Sequence, residues 1–331
     1  MAESRAKLVV IFFLFLLLIS VLFVVPLIGS QPLHVQQIID YLKGIETTSG
    51  IIFFRIRIPR ILLAILTGAS LALAGVVFQA LLRNPLATPY TLGVSSGGAL
   101  GAVLVIKLGV SFSWWGFSTI QISAFIGSIA TITLVYLLAR RQRRISVYVM
   151  ILAGVTLSYF FGAMILMLHF LADFTETRQM VRWMMGGLDV VNSEILWRSL
   201  PLIFISYLVL FSQARMLNIL STSEEIALSK GIAVERVQKI AFLFSSLLTG
   251  LVVAISGPIG FVGLIIPHFL RLIIGYDHRY LIPASLLLGG SFLAICDTIA
   301  RTILAPVDIP VGIITALIGG PFFVWLLVRR G

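Results

Sequence analysis

The feature that most limits this chain is its series of apolar runs of about 17 to 25 residues, rich in Leu, Ile and Ala, the length that crosses a hydrocarbon layer as helix. No backbone amide or carbonyl stays unpaired in lipid, so runs of this kind fold as helices or as strands of a closed barrel. Barrel strands are much shorter and alternate apolar with polar residues, which these runs do not. Charged residues make up 11% of the chain and hydrophobic ones 59%. A soluble domain of this size uses about 25% charged residues to cover itself. The fold class is therefore all-α, a polytopic transmembrane helical bundle.

About ten spans can be read, at 8–27, 58–82, 92–108, 114–138, 147–170, 195–211, 240–256, one broken early by Gly260 and Gly263 and ending near 274, 281–299 and 311–328. Residues 29–54 form a polar stretch with one amphipathic helix. The first run follows Arg5 and Lys7 as a signal peptide would, but no small-residue cleavage site follows, and it is read as a retained first helix. Ten spans bring both termini to one side. The larger share of the 24 Lys and Arg, including Arg140, Arg141, Arg143 and Arg144, falls on that side and marks it as cytoplasmic. Arg55, Arg57 and Arg60 remain as an outer group that needs its own reason. The net charge of +11 sits in short loops at headgroup level, so nucleic acid is not an expected partner and membrane lipid is.

Leu66-Thr67-Gly68 followed by Gly75 is echoed by Leu248-Thr249-Gly250 followed by Gly257, on helices that cross in opposite directions. Two inverted repeats leave such a trace, and so does coincidence in a chain with 28 glycines. Gly68, Ala72, Gly75 and Gln79 recur at helical spacing, and the narrow face they form lets helix backbones approach. The stretches Gly257-Pro258-Ile259-Gly260 and Ala305 to Gly312, with Pro310, interrupt apolar segments. Non-helical backbone at membrane depth is tolerated where protein or a water-filled cavity surrounds it, which points to transport.

Catalytic chemistry has no foothold here. No phosphate-binding loop, nucleophile elbow or paired carboxylates occur, so the chain reads as a non-enzyme, and any ATP must be hydrolysed by another chain. The histidines at 34, 169, 268 and 278 lack metal-ligand spacing, and no metal site is expected. His169, with Met164 and Met167 on the same span, reads as an interfacial residue beside packing methionines. Cys296 reads as a small buried hydrophobe. Asp297 and Arg301, four apart, suit a helical ion pair. The segment from Ser223 to Arg236 reads as short amphipathic helices broken at Gly231, with Glu224 and Glu225 at a helix start and Lys230 at its end. It is either a solvated loop or a protein contact.

The chain resembles the permease subunits of binding-protein-dependent ABC importers for iron-siderophores, haem and vitamin B12. The resemblance is carried by Arg57-Ile58-Pro59-Arg60, Gly68 through Gly75 to Gln79, Arg83-Asn84-Pro85-Leu86-Ala87 with Pro89, and Leu92-Gly93-Val94-Ser95-Ser96-Gly97. It continues through Gly257-Pro258-Ile259-Gly260-Phe261-Val262-Gly263-Leu264, Pro267-His268, Pro310-Val311-Gly312 and Gly319-Gly320-Pro321-Phe322-Phe323, covering nearly the whole chain in order. Thr88 stands where the family often has Asp, and Asp308 where Glu is common.

That resemblance implies one transmembrane permease domain, 1–331, with a cytoplasmic coupling segment at 213–238. It implies a second copy of the permease, two cytoplasmic ATPase subunits, an extracytoplasmic substrate-binding protein and a bacterial inner-membrane location. ATP and Mg would belong to the ATPases, with no cofactor on this chain. Arg57, Arg60 and Arg301 are expected to dock the binding protein. Glu224, Glu225, Leu228, Gly231, Val234 and Arg236 are expected to couple to the ATPase. Pathway or packing roles fall to Gly68, Gly75, Gln79, Asn84, Pro85, Gly154, Met164, Met167, Gly257, Pro258, Gly260, Pro310 and Gly312. The cargo expected first is a ferric siderophore, with haem or cobalamin as alternatives. An ion-gradient-driven secondary transporter is the more distant reading, for which Asp297 and Asp308 would be the working carboxylates.

Overall fold

In the computed structural model of the chain, residues 2–141, 144–188 and 193–330 are described, and helix dominates them. The first helix, α1 (Ala2–Val24), ends in a 3-10 turn at Val25–Leu27. It is apolar all round and largely uncovered, as a helix facing lipid can be. The amphipathic helix α2 (Val35–Leu42) matches the one expected in the polar stretch.

The second span starts earlier than expected. A cap at Thr47 opens α3 (Thr48–Ile51), a π-helical turn at Ile52–Arg57 follows, and α4 (Ile58–Leu81) completes one 34-residue rod, Thr48–Leu81. Pro59 suggests a helix start, but the wider turn before it absorbs the missing N–H and lets the helix run through.

Past α4 the chain turns through Pro89–Leu92, capped reciprocally by Thr88 and Thr91, into α5 (Val94–Leu108). The fourth span begins at α6 (Thr119–Ala139), not at Trp114. Trp114 belongs to a small hairpin of β1 (Ser113–Trp114) and β2 (Phe117–Ser118), and the Ser118–Gln121 capping box starts the helix. A second hairpin, β3 (Arg140–Arg141) with β4 (Arg144–Ile145), carries the basic cluster, of which Arg143 lies outside the described residues. Helix α7 (Val147–Phe170) has the limits read from sequence.

The remaining elements are α8 (Phe174–Met184), α9 (Ser193–Ser212), α10 (Ala214–Leu220), α11 (Glu224–Ser229), α12 (Val234–Ser256), α13 (Val262–Ile274), α14 (His278–Thr302) and α15 (Val311–Arg330). Among the described residues, seven helices are long and apolar enough to cross a membrane, and α5, α13 and α15 supply three shorter apolar ones. These correspond one for one to the ten expected spans. Both termini lie at the end that carries α11, since Ser4 Oγ meets Tyr280 OH at 2.7 Å near the start of α14, and α15 runs from the Asp308 end back toward that side.

The packing has a two-fold pattern. Helix α4 lies on α14 as α12 lies on α6, and α4 meets α13 as α12 meets α5. The pairs α5–α6, α5–α7 and α6–α7 recur as α13–α14, α13–α15 and α14–α15. Helix α4 starts at the end that carries Arg60 and α12 at the end that carries α11, so α4–α7 and α12–α15 are inverted repeats.

Helix α4 is the axis of the bundle, buried without interruption from Thr67 to Leu81. Its small residues allow this. A Cβ on Gly68 would lie 2.2 Å from the Gly289 carbonyl oxygen, and one on Gly75 would lie 1.9 Å from that of Gly263. Between helices in lipid, van der Waals contact and interhelical hydrogen bonds supply the attraction that water supplies elsewhere. Gly75→Val is therefore expected to destabilise the detergent-solubilised protein by about 2 kcal/mol or more through overpacking, read as a lower thermal midpoint. Gly260→Ala, where a Cβ meets open space, is expected to leave the midpoint unchanged.

Candidate functional site

Two arginines and two aspartates meet at the end of the bundle far from α11. Asp297 on α14 is 0% exposed. It accepts from Arg60 Nε and NH2 at 2.9–3.1 Å and from Arg301 Nε at 3.1 Å. Arg60 reaches on with NH1 to Asp308 Oδ2 at 3.3 Å, where the cluster meets the surface. The helical spacing of Asp297 and Arg301 foretells their pair. Nothing local foretells Arg60, which arrives from α4.

Of the three arginines expected to face a docking protein, the structure encloses two. Arg301 is 6% and Arg57 4% exposed. Arg57 donates to the Pro26 carbonyl at 3.0 Å and the Gln31 carbonyl at 2.5 Å, clamping the link between α1 and α2. Carbonyls freed by the proline-containing turn after α1 attract that guanidinium inward. Arg60 borders the surface beside Asp308, and Arg55 is exposed with Glu46 at 3.9 Å.

Deeper in, the two helix interruptions touch. The link from α4 to α5 presents Tyr90, whose hydroxyl donates to the Ile259 carbonyl at 2.5 Å in the link from α12 to α13. That second link turns at Gly257, with φ +67°, where a Cβ would lie 2.5 Å from the Trp183 carbonyl oxygen. Gly312 N–H donates to the Gly186 carbonyl at 3.3 Å, and Gly187 N–H to that of Ser256 at 2.8 Å. The ends of α8 and α12 and the start of α15, with Pro310, Gly312 and Pro258, thus form one knot of close backbone. Phe261 holds φ +69°, unusual for a bulky residue, and its ring lies where a Cβ on Gly319 of α15 would be. Sequence offers no sign of this, because aromatic residues avoid that conformation.

Helix α7 packs with Gly154 against the backbone of Thr91 and Leu92. Its opposite face, Leu152, Val155, Tyr159, Phe160, Leu166, Met167 and Phe170, is exposed in one stripe along the helix. Met164 is half-buried at its edge. Helix α15 has a shorter counterpart in Leu317, Val324 and Val328. Between the end of α5 and the start of α8, Lys107 Nζ donates to Glu176 Oε2 at 2.7 Å. That bond, with the Asp173 N–H of the α8 capping box, holds the Glu176 carboxyl below its ordinary range. The Asp173-x-x-Glu176 spacing could have disclosed α8, which lies in a segment read only as mixed and polar; Asp189, at its far end, lies outside the described residues.

At the end that carries α11, Asn84 Oδ1 accepts the Leu86 N–H at 2.9 Å and ends α4, with Pro85 exposed beyond it. Gln79 donates to the Gly263 carbonyl at 3.2 Å and accepts from Arg271. Arg83 NH2 donates to Glu224 Oε2 at 2.9 Å, joining the end of α4 to α11. Ser223 caps α11, and Ala227 anchors it inward. Glu225, Ile226, Leu228 and Arg236 are exposed, and Gly231 turns with φ +73° into open space. Val234 departs from the expectation: it is the buried first residue of α12, because that helix starts well before residue 240.

The model of the FecCD transport family matches residues 13–329. The hemin transport system permease protein HmuU of Yersinia pestis is 39% identical over 280 residues, 84% of each chain. The cobalamin import system permease protein BtuC of Halobacterium salinarum is 40% identical, over 87% of this chain and 76% of its own. A solved structure described as an inward-facing ABC transporter of the metal-chelate type superposes with TM-score 0.86 at 35% identity, covering 96% of this chain and 98% of its own.

Asp297→Asn is expected to cost about 3–5 kcal/mol, since it takes the buried carboxylate from the Arg301 guanidinium and weakens the hold on Arg60. Asp308→Asn at the half-exposed rim should cost about 0–1 kcal/mol. Equilibrium unfolding of the two variants in detergent separates the two costs.

Proposed function

The chain belongs to the FecCD transport family, and from that premise we propose that it carries a ferric siderophore across the bacterial inner membrane, both termini in the cytoplasm. The family makes it a multi-pass ABC-importer permease for cargo of the iron-chelate, haem or B12 type, a transport subunit and not an enzyme. ATP and Mg act at two partner ATPases, and an extracytoplasmic binding protein delivers the cargo.

The observation that carries the mechanism is the position of α4. Helix α4 runs through the middle of the bundle with an ion pair near each end, Arg60 with Asp297 in its first turn and Arg83 with Glu224 just past its last. A push on α11 therefore reaches the outer cluster through a helix too tightly packed to bend. The exposed residues of α11 and the turn after it, Glu225, Leu228, Gly231 and Arg236, are the seat for the ATPase, while Val234 fixes the segment to the core. A second copy covers part of the α7 and α15 stripes, and the rest lines the path. Such a lining, apolar and poor in polar groups, passes a bulky chelate without holding it.

Docking of the binding protein falls to Arg60 and its exposed surroundings. Arg57 and Arg301 hold the surface in shape from behind. Complementary charge there would raise the rate and fix the orientation of docking.

Vesicles holding this chain with its ATPase and binding protein, offered a ferric siderophore, haem and cobalamin in parallel, test the reading. ATP- and binding-protein-dependent accumulation of the siderophore is expected. Uptake of haem or cobalamin alone reassigns the cargo, and uptake by this chain alone under an ion gradient overturns the mechanism. Leu228→Glu is expected to weaken ATPase association roughly tenfold or more, as loss of an interface anchor does, measured by co-purification and titration of the ATPase.

A further inference from the structure

At the end of the bundle that carries α11, a cavity of about 390 Å³ opens among α4, α10, α13 and α14. Its volume lies in the range of small-ligand pockets. Gln79, Arg83, Ser221, Thr222, Arg271 and His278 line it, with His268 deeper on α13. The charges around it do not balance. Arg83 is paired with Glu224, and Asp277, beside the wall, is held by Arg279 and Asn218. Arg271 has no carboxylate within 4 Å among the described residues. Its guanidinium donates to Gln79 Oε1 and lies 5.9 Å from the Tyr276 ring centroid. A half-buried cation with only a neutral acceptor and an aromatic face leaves room for an anion.

One further group on the wall is unspent, and two hydroxyls share a single acceptor. Asn218 Nδ2 donates to Asp277 Oδ1 at 2.8 Å, so its Oδ1 faces His278 and accepts both that residue's backbone N–H at 2.8 Å and its Nδ1–H at 2.6 Å. The network thereby places the imidazole proton on Nδ1. Nε2 is left as an acceptor with no hydrogen-bond partner among the described residues, on a side chain 3% exposed. The hydroxyls of Ser221 and Thr222 both donate to the Asn218 carbonyl, at 3.0 and 3.1 Å. Either can turn to a ligand while the other keeps that carbonyl satisfied.

We propose that this cavity binds a phosphate-bearing anion, the headgroup of an anionic phospholipid or free phosphate, with Arg271 as its counter-charge. Basic pockets between membrane helices at the cytoplasmic level suit such headgroups. Leu272 and Tyr276 are exposed at the mouth, giving acyl chains an apolar way out along α13. The hydroxyls of a glycerol headgroup supply the donor that His278 Nε2 lacks. Through Arg83 the site adjoins the coupling segment, so its occupant would brace the contact between α4 and α11. The site does not depend on which cargo is carried.

The full chain, stripped of lipid in neutral detergent, is titrated with dioleoyl phosphatidylglycerol and dioleoyl phosphatidylcholine by native mass spectrometry, and with labelled orthophosphate by equilibrium dialysis. The anionic lipid is expected to bind more tightly than the zwitterionic one, and Arg271→Gln to weaken it roughly tenfold. Arg271→Lys should fall between, and Lys239→Gln, exposed at the same end, should change nothing. Should Arg271→Gln not fold, Leu272→Glu at the exposed mouth is measured in its place and is expected to weaken the lipid similarly. Orthophosphate that binds and displaces the lipid assigns the site to free phosphate, and lipid binding indifferent to orthophosphate assigns it to the headgroup. Equal binding of the two lipids without phosphate binding, or equal losses in Lys239→Gln and Arg271→Gln, overturns the proposal.

Discussion

The close backbone approach of α4 to α13 and α14 is the constraint on which the rest depends. In lipid, two helices gain nothing by hiding apolar side chains from each other, since the surrounding tails are equally apolar. They associate where atoms fit closely, and Gly68 against Gly289 and Gly75 against Gly263 bring backbone to backbone. Once α4 is drawn in at those two points, several of its polar groups come within reach of partners. Gln79 meets Gly263 and Arg271, Ser70 Oγ meets Tyr207 OH at 2.8 Å, and Arg60 meets Asp297. The hydrogen bonds follow from the approach that the glycines permit.

The outer cluster shows what such an approach does to charge. A carboxylate fully withdrawn from water is costly unless several donors surround it. Asp297 has guanidinium donors from two helices. The geometry that satisfies it is specific, and a shift of α4 along α14 by one turn would take Arg60 away from Asp297 and leave that buried carboxylate with Arg301 alone. Buried charge here makes one register of the two helices far better than its neighbours. The same reasoning separates Arg57 and Arg301 from Arg60: the first two maintain the frame, and the third borders the surface on which a partner could act.

Long apolar runs made the spans legible in sequence, because hydrocarbon thickness is a global demand that every crossing must meet. Boundaries depend on local events that compete with that demand. The cap at Thr47 and the π-helical turn ahead of Pro59 extend α4 outward, the Ser118 box delays α6, and apolar Val234 starts α12 inside a segment that reads as polar. The narrow faces of Gly68 and Gly75 could be read from spacing, but their partners could not, since Gly263 and Gly289 are nearly two hundred residues or more away. Within the candidate site, the i, i+4 pair of Asp297 and Arg301 was visible because a helix makes it so. The inward turn of Arg57 was hidden, as it answers to carbonyls that only the folded link between α1 and α2 exposes.

Phe261 holds a conformation that costs an aromatic residue about 1–3 kcal/mol, and its ring lies over the bare backbone of Gly319. The strained link and the bare spot on α15 are therefore a lock and its key. As long as α15 stands at its present height, the ring has a seat and the turn after Gly257 is held. If α15 slides, the seat is lost, and the link between α12 and α13 relaxes with it. Helix α15 and the turn after Gly257 then answer to a single coordinate, so neither can be reset without the other.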